Sequence, residues 1–177
     1  MKLLLLTTIL LASLSGKAQT WVQIGPEGGY LKEFTIDPSN TNTIYAGSDD
    51  GGGIWKSIDA GSNWSLLTGS FPNMTGWKVV LDENNSNIVY GCDLYGRYGI
   101  LKSTDGGSTW STSSGLNTTY DKMVSGIAVK TTDTLFISTG ESATSTPVRP
   151  GNGVFKSFDS GLTWTASGLQ GTTVPSI

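Results

Sequence analysis

After its first twenty residues, the chain carries its β-prone residues in short runs of three to five, and clusters of Gly, Asn, Asp, Ser and Pro separate them. Such runs predict β-strands joined by tight turns, because alternation places every second side chain on one face of a sheet. Three stretches repeat the same order. The first is Phe34–Asp37, Thr43–Ala46, Gly53–Ser57 and Trp64–Leu66; the second is Lys78–Asp82, Ile88–Gly91, Gly99–Ser103 and Trp110–Thr112. The third is Gly126–Val129, Thr134–Ile137, Gly153–Ser157 and Trp164–Ala166. The repeat spacing is 46 residues from Ser57 to Ser103 and 54 from Ser103 to Ser157. Four strands per ~45 residues is the arithmetic of a propeller blade. The expected fold is therefore all-β: a partial β-propeller of about three four-stranded blades, near residues 31–67, 77–113 and 124–167.

Between the third and fourth strands of each unit lies one recurring sequence. It reads Ser57-x-Asp59-x-Gly61-x-x-Trp64, then Ser103-x-Asp105-x-Gly107-x-x-Trp110, then Ser157-x-Asp159-x-Gly161-x-x-Trp164. These residue types make a turn. The carboxylate accepts backbone N–H groups a few residues on, the glycine supplies a positive φ, and the indole covers the hairpin.

This pattern resembles the Asp-box, or bacterial neuraminidase repeat, which occurs in sialidases, sortilin-type receptor domains, photosystem assembly factors and xyloglucan-cleaving glycoside hydrolases. The resemblance covers residues 21–177 and implies that Asp59, Asp105 and Asp159 are structural, on the rim away from the active face. The style is nearest the sortilin-like and xyloglucanase-like branch, carried by Trp21-Val-Gln-Ile-Gly-Pro-Glu-Gly-Gly29, by Asp37-Pro38 before an Asn-rich turn, and by Tyr45-Ala-Gly-Ser-Asp49-Asp-Gly-Gly52. In xyloglucanases a stretch like the last carries a catalytic Asp, which falls on Asp49. The sialidase branch fits poorly, since only Arg97 and Arg149 are available for a three-arginine carboxylate clamp.

Composition narrows the chemistry. The 24 glycines amount to about twice the usual ~7% share, which suits a turn-rich protein. With no histidine, this chain holds no Ser-His-Asp or Cys-His machinery and no HExxH zinc site. One cysteine, Cys92, excludes an internal disulfide and a thiolate cluster, and reads as a packed small hydrophobe. No phosphate loop, cofactor fingerprint or dedicated metal spacing occurs. The expectation is no cofactor and no metal, with any catalysis resting on carboxylates, tyrosines or hydroxyls.

Met1-Lys2, the apolar run Leu3–Leu14 and the small residues Gly16 and Ala18 read as a signal peptide over residues 1–18. That predicts a secreted, periplasmic or cell-surface protein. Loss of Lys2 and Lys17 leaves 9 basic against 14 acidic residues, a poor match to nucleic acid. No run is long enough for a membrane span. Three blades leave both outer sheets uncovered. Residues 21–24 look like a ring-closing fourth strand of a last blade, so the expectation is the N-terminal part of a larger propeller.

Strand alternation puts the box turns and the first-to-second strand turns at one end. The second-to-third strand loops and the connections between blades lie at the other end. On that loop face the expected binding residues are Asp50, Trp77, Asp93, Tyr95, Glu141 and Arg149 around Asp49, with Asp49, Asp93 and Glu141 opening equivalent loops. Interblade rings Tyr30, Phe71 and Tyr120 add to it. Carboxylates among rings suit a sugar, whose apolar faces stack and whose hydroxyls bond to acids. The expected partner is a polysaccharide or glycoprotein, in a glycan-processing or glycan-binding protein; the alternative is a sortilin-like propeller holding a peptide or protein without catalysis. The third unit carries an insertion, Ser142–Gly153, read as a surface loop over the axis entrance.

Overall fold

The computed structural model describes residues 25–26, 30–49, 52–140 and 150–175. The predicted signal segment, the 21–24 strand and the site candidates Asp50, Glu141 and Arg149 lie outside the described residues. Among the described residues, twelve strands form three antiparallel sheets, each a simple meander. The first contains β1 (Leu31–Ile36), β2 (Ile44–Ser48), β3 (Gly53–Ser57) and β4 (Ser65–Leu66). The second contains β5 (Gly76–Asp82), β6 (Asn85–Asp93), β7 (Ile100–Ser103) and β8 (Ser111–Thr112). The third contains β9 (Val124–Val129), β10 (Leu135–Thr139), β11 (Val154–Ser157) and β12 (Thr165–Gly168). A single-turn helix, α1 (Thr119–Lys122), leads into β9, with a capping box between Thr118 and Asp121. The first strands follow one another in space, β1 beside β5 and β5 beside β9. These sheets are three successive blades of a β-propeller.

Strand alternation explains how the blades stack. In β6 and β7, Val89 and Leu101 turn toward the first blade, where they bury with Tyr45, Ile54, Met74, Val79 and Leu81. Their neighbours Tyr90, Cys92 and Ile100 turn toward the third blade, against Leu116, Ile127, Leu135, Ile137, Phe155 and Trp164. Each sheet is thus buried on the faces it shares, and the period of two along the strand sorts the two cores. Cys92 is part of this packing. Burial raises its thiol above the ordinary value and keeps it protonated.

The three recurring turns repeat one geometry almost atom for atom. The serine hydroxyl donates to the aspartate at 2.8 Å in all three and accepts the glycine N–H at 2.8 Å. The aspartate also accepts the N–H of Asn63, Thr109 or Thr163 at 2.8–2.9 Å, and that residue's side chain at 2.6–2.7 Å. These side-chain and backbone donors hold the carboxyls below the ordinary range, to about 2 for Asp105 and Asp159, and lower Asp59 as well.

Each turn is also fastened to its surroundings, the second and third of them twice. Ala60, Gly106 and Ser160 donate their N–H to the carbonyls of Asn42, Asn87 and Asp133, which joins each box turn to the first-to-second strand turn of its own blade. The Tyr45 hydroxyl donates to the Gly106 carbonyl at 3.0 Å, and the Tyr90 hydroxyl to the Ser160 carbonyl at 3.2 Å. A second-strand tyrosine thereby latches the box turn of the next blade. The third blade carries Phe136 at this position.

Candidate functional site

The loop face is built by one recurring closure. Counting from the strand register, Ser48 pairs with Gly53, while Asp93 and Thr139 donate their N–H groups to the Gly99 and Gly153 carbonyls. All three glycines have positive φ, between 72° and 89°, so a side chain there would be strained. The three opposing side chains are fully buried. The Ser48 and Thr139 hydroxyls bond to the carbonyls of Gly53 and Gly153, at 3.1 and 2.9 Å. The loops enclosed by these pairs span residues 49–52, 94–98 and 140–152.

This register corrects the expected equivalence of Asp49, Asp93 and Glu141. Asp93 matches Ser48 and Thr139; Asp49, one residue further on, matches Leu94 and Gly140. One step along a strand turns a side chain to the other face, so Asp93 points inward. Its carboxylate accepts the N–H groups of Thr75, Tyr95, Arg97 and Tyr98 at 2.8–3.3 Å. Burial nonetheless raises its pKa above the ordinary value, the four bonds offsetting only part of the desolvation. Asp93 shapes the 94–98 loop from beneath.

Asp49 is turned outward, with 16% of its side chain exposed. The Tyr95 hydroxyl donates to its Oδ1 at 3.0 Å, and the Lys32 ammonium lies 3.1 Å from Oδ2. The same ammonium sits 5.1 Å from the ring centroid of Trp77. Of the expected residues, the structure therefore brings Asp49, Trp77 and Tyr95 into one cluster at the cleft between the first two blades. Lys32, absent from the sequence expectation, is what joins them. It lies on β1 at a position where alternation marks only an exposed side chain.

The remaining rings are placed as follows. Phe71 and Tyr98 meet edge to face at 5.2 Å, and the Tyr98 hydroxyl donates to the Pro72 carbonyl, which pins the second blade's loop to the interblade connection. Tyr30 is exposed, and its carbonyl accepts the Asp49 N–H at 2.8 Å. Tyr120 is exposed on α1. At the end of the third blade's insertion, Asn152 is anchored three ways. Its Nδ2 donates to Asp121 at 2.9 Å, its N–H to Thr139 at 2.8 Å, and its Oδ1 accepts the Gly171 N–H. Among the described residues, no group of three or more potential Cys, Asp or Glu ligands gathers, and no helix is long and apolar enough to cross a membrane.

A fold of stacked four-stranded blades defines the class, a β-propeller, and its loop face gathers a carboxylate and aromatic rings. No family model matches the sequence. Among curated proteins the chain is similar to a xyloglucanase of Paenibacillus sp, at 30% identity over 135 residues, covering 76% of this chain and 10% of that protein. It is also similar to a xyloglucanase of Hypocrea jecorina, at 31% over 128 residues, covering 71% of this chain and 14% of that one. The chain thus spans about a tenth of the length of the curated relatives it matches. Among solved structures, an ancestral GH74 enzyme superposes with a TM-score of 0.63 and 19% identity over 79% of this chain and 19% of its own. The Niastella koreensis GH74 enzyme gives 0.58 with 26% identity over 80% of this chain and 23% of its own.

Proposed function

We propose that this chain is part of an exported, xyloglucanase-like glycoside hydrolase whose Asp-box propeller carries a polysaccharide across the loop face, with Asp49 as a working carboxylate. The observation that carries the reading is the outward Asp49 held between Tyr95 and Lys32 beside Trp77. The similarity to two xyloglucanases supports it. Glycoside hydrolysis needs a second carboxyl, about 5–5.5 Å away for retention or 6.5–9.5 Å for inversion. Asp93 does not supply it, because four backbone donors consume its oxygens. The acid partner is expected outside the described residues, as the xyloglucanase resemblance implies. Residues 1–18 carry the export, and the three box turns serve the scaffold.

The test is release of reducing ends from xyloglucan by the protein expressed from its whole gene. Asp49→Asn keeps the shape and removes the base, so release should fall on the order of 10²–10⁴-fold. A protein inert on a panel of plant and microbial polysaccharides, yet retaining a peptide, would overturn the reading.

A further inference from the structure

Lys32 is held more tightly than its exposure suggests. A lysine stem loses much rotamer freedom when its ammonium is fixed, and exposed ion pairs gain little in return. Here the ammonium is fixed from two sides by different elements: the Asp49 carboxylate of the β2–β3 loop at 3.1 Å, and the ring of Trp77 on β5 at 5.1 Å. The ring attracts the cation through its quadrupole and limits the directions it can take. On the other carboxylate oxygen the Tyr95 hydroxyl donates. A cation on one oxygen and a hydroxyl donor on the other both favour the ionised carboxylate and fix its rotamer.

We propose that Lys32, caged by Trp77, is a positioning residue that holds Asp49 ionised and in place, so that the carboxylate serves as base or nucleophile and not as proton donor. The choice of base over acid rests on the reading of Asp49 as the working carboxylate. Among the described residues, two neighbouring carboxylates are otherwise engaged. Glu33 of β1 pairs with Lys78 of β5 at 3.4 Å, and Asp93 is buried under its loop. Tyr95 and the exposed Arg97 belong to the β6–β7 loop. The arrangement also means that the ring face of Trp77 beneath Lys32 is covered by an ammonium and is closed to a stacking sugar.

The test is a carbon-13 NMR titration of the aspartate carboxyl carbons in the whole chain, the Asp49 signal being identified by its loss in Asp49→Asn. The native midpoint should lie below the ordinary ~3.9. Lys32→Met should raise it by about one pH unit, and Lys32→Arg should restore most of the difference. Trp77→Leu should raise it by less and abolish the upfield ring-current shift of the Lys32 ε-protons. A midpoint that ignores Lys32→Met, or native Lys32 ε-protons with no such shift, overturns the proposal. The two readings separate cleanly. If the midpoint follows Lys32 but Asp49→Asn releases xyloglucan normally, positioning stands and catalysis by Asp49 falls. If release collapses in Asp49→Asn while the midpoint ignores Lys32, positioning falls alone.

Discussion

Replacing Asp93 by Asn is nearly isosteric, yet the structure makes it a severe change. Oδ1 accepts the N–H groups of Thr75 and Tyr95, and Oδ2 those of Arg97 and Tyr98. An amide has one acceptor oxygen and one NH₂. Either orientation sets the NH₂ against two N–H donors, leaving those donors unpaired. The shorter bonds, to Arg97 and Tyr98 at 2.8 and 2.9 Å, should keep the oxygen. Each buried unpaired donor costs about 1–3 kcal/mol, and removing a buried charge returns part of it, for a net loss of about 2–4 kcal/mol. With a urea slope of about 2 kcal/mol/M, the unfolding midpoint followed by tryptophan fluorescence should fall by roughly 1–2 M. The Tyr95 N–H is one of the donors released, so the xyloglucan cleavage proposed for Asp49 should weaken too. The pH dependence has a definite sign. Because the folded carboxyl titrates above its unfolded value, its contribution to stability declines as pH rises through the folded pKa. The Asn variant should lack that decline. A midpoint within about 0.3 M of native, against the roughly 1–2 M expected from the urea slope, would refute the reasoning.

The box turns should respond differently. In Asp105→Asn the oxygen keeps the bonds from the Ser103 hydroxyl and the Thr109 N–H, and the amide can donate to the Thr109 hydroxyl, so its melting temperature should fall less than that of Asp93→Asn, and the xyloglucan cleavage proposed above should persist. Asp105 and Asp159 titrate at about 2 when folded, so their contribution is present above the ordinary ~3.9 and lost as pH falls toward 2; acid unfolding monitored by circular dichroism should shift upward in pH in a variant carrying Asn at both positions. Tyr90→Phe removes the latch onto Ser160 and should cost about 0.5–1.5 kcal/mol in urea melts. Asn152→Ala keeps its own N–H bond to Thr139 but loses the side-chain bonds to Asp121 and Gly171, and should increase amide exchange at Gly171 without unfolding the first blade.

The fold was legible because three different signals agree: strand alternation, a turn sequence repeated in the same frame, and glycines where the register needs positive φ. Side-chain equivalence between loops was harder to read. Loops of unequal length hide the register, and only the paired closures Ser48–Gly53, Asp93–Gly99 and Thr139–Gly153 show that Asp93 faces inward. The signal existed, since the glycine before each third strand could have been aligned first. The Thr118-x-x-Asp121 capping box likewise announces α1, which the strand pattern passes over. Lys32 had no sequence signal, because its meaning comes from Trp77 and Asp49, 45 and 17 positions away.

The closure beneath each second-to-third strand loop has an evolutionary consequence. A buried polar side chain facing a left-handed glycine completes the ladder before the loop starts, as with Thr139 and Gly153 beneath 140–152. Whatever lies beyond that clasp can lengthen, shorten or change chemistry without passing strain into the sheet, because the last rung is already made. Selection on recognition can then work within the loop while selection on stability holds the clasp; in the second blade Asp93 serves both, since its carboxylate also holds the loop N–H groups of Tyr95, Arg97 and Tyr98. The first two blades show loops of similar size and the third a much longer one on the same clasp. A scaffold partitioned this way can acquire a new recognition surface one blade at a time.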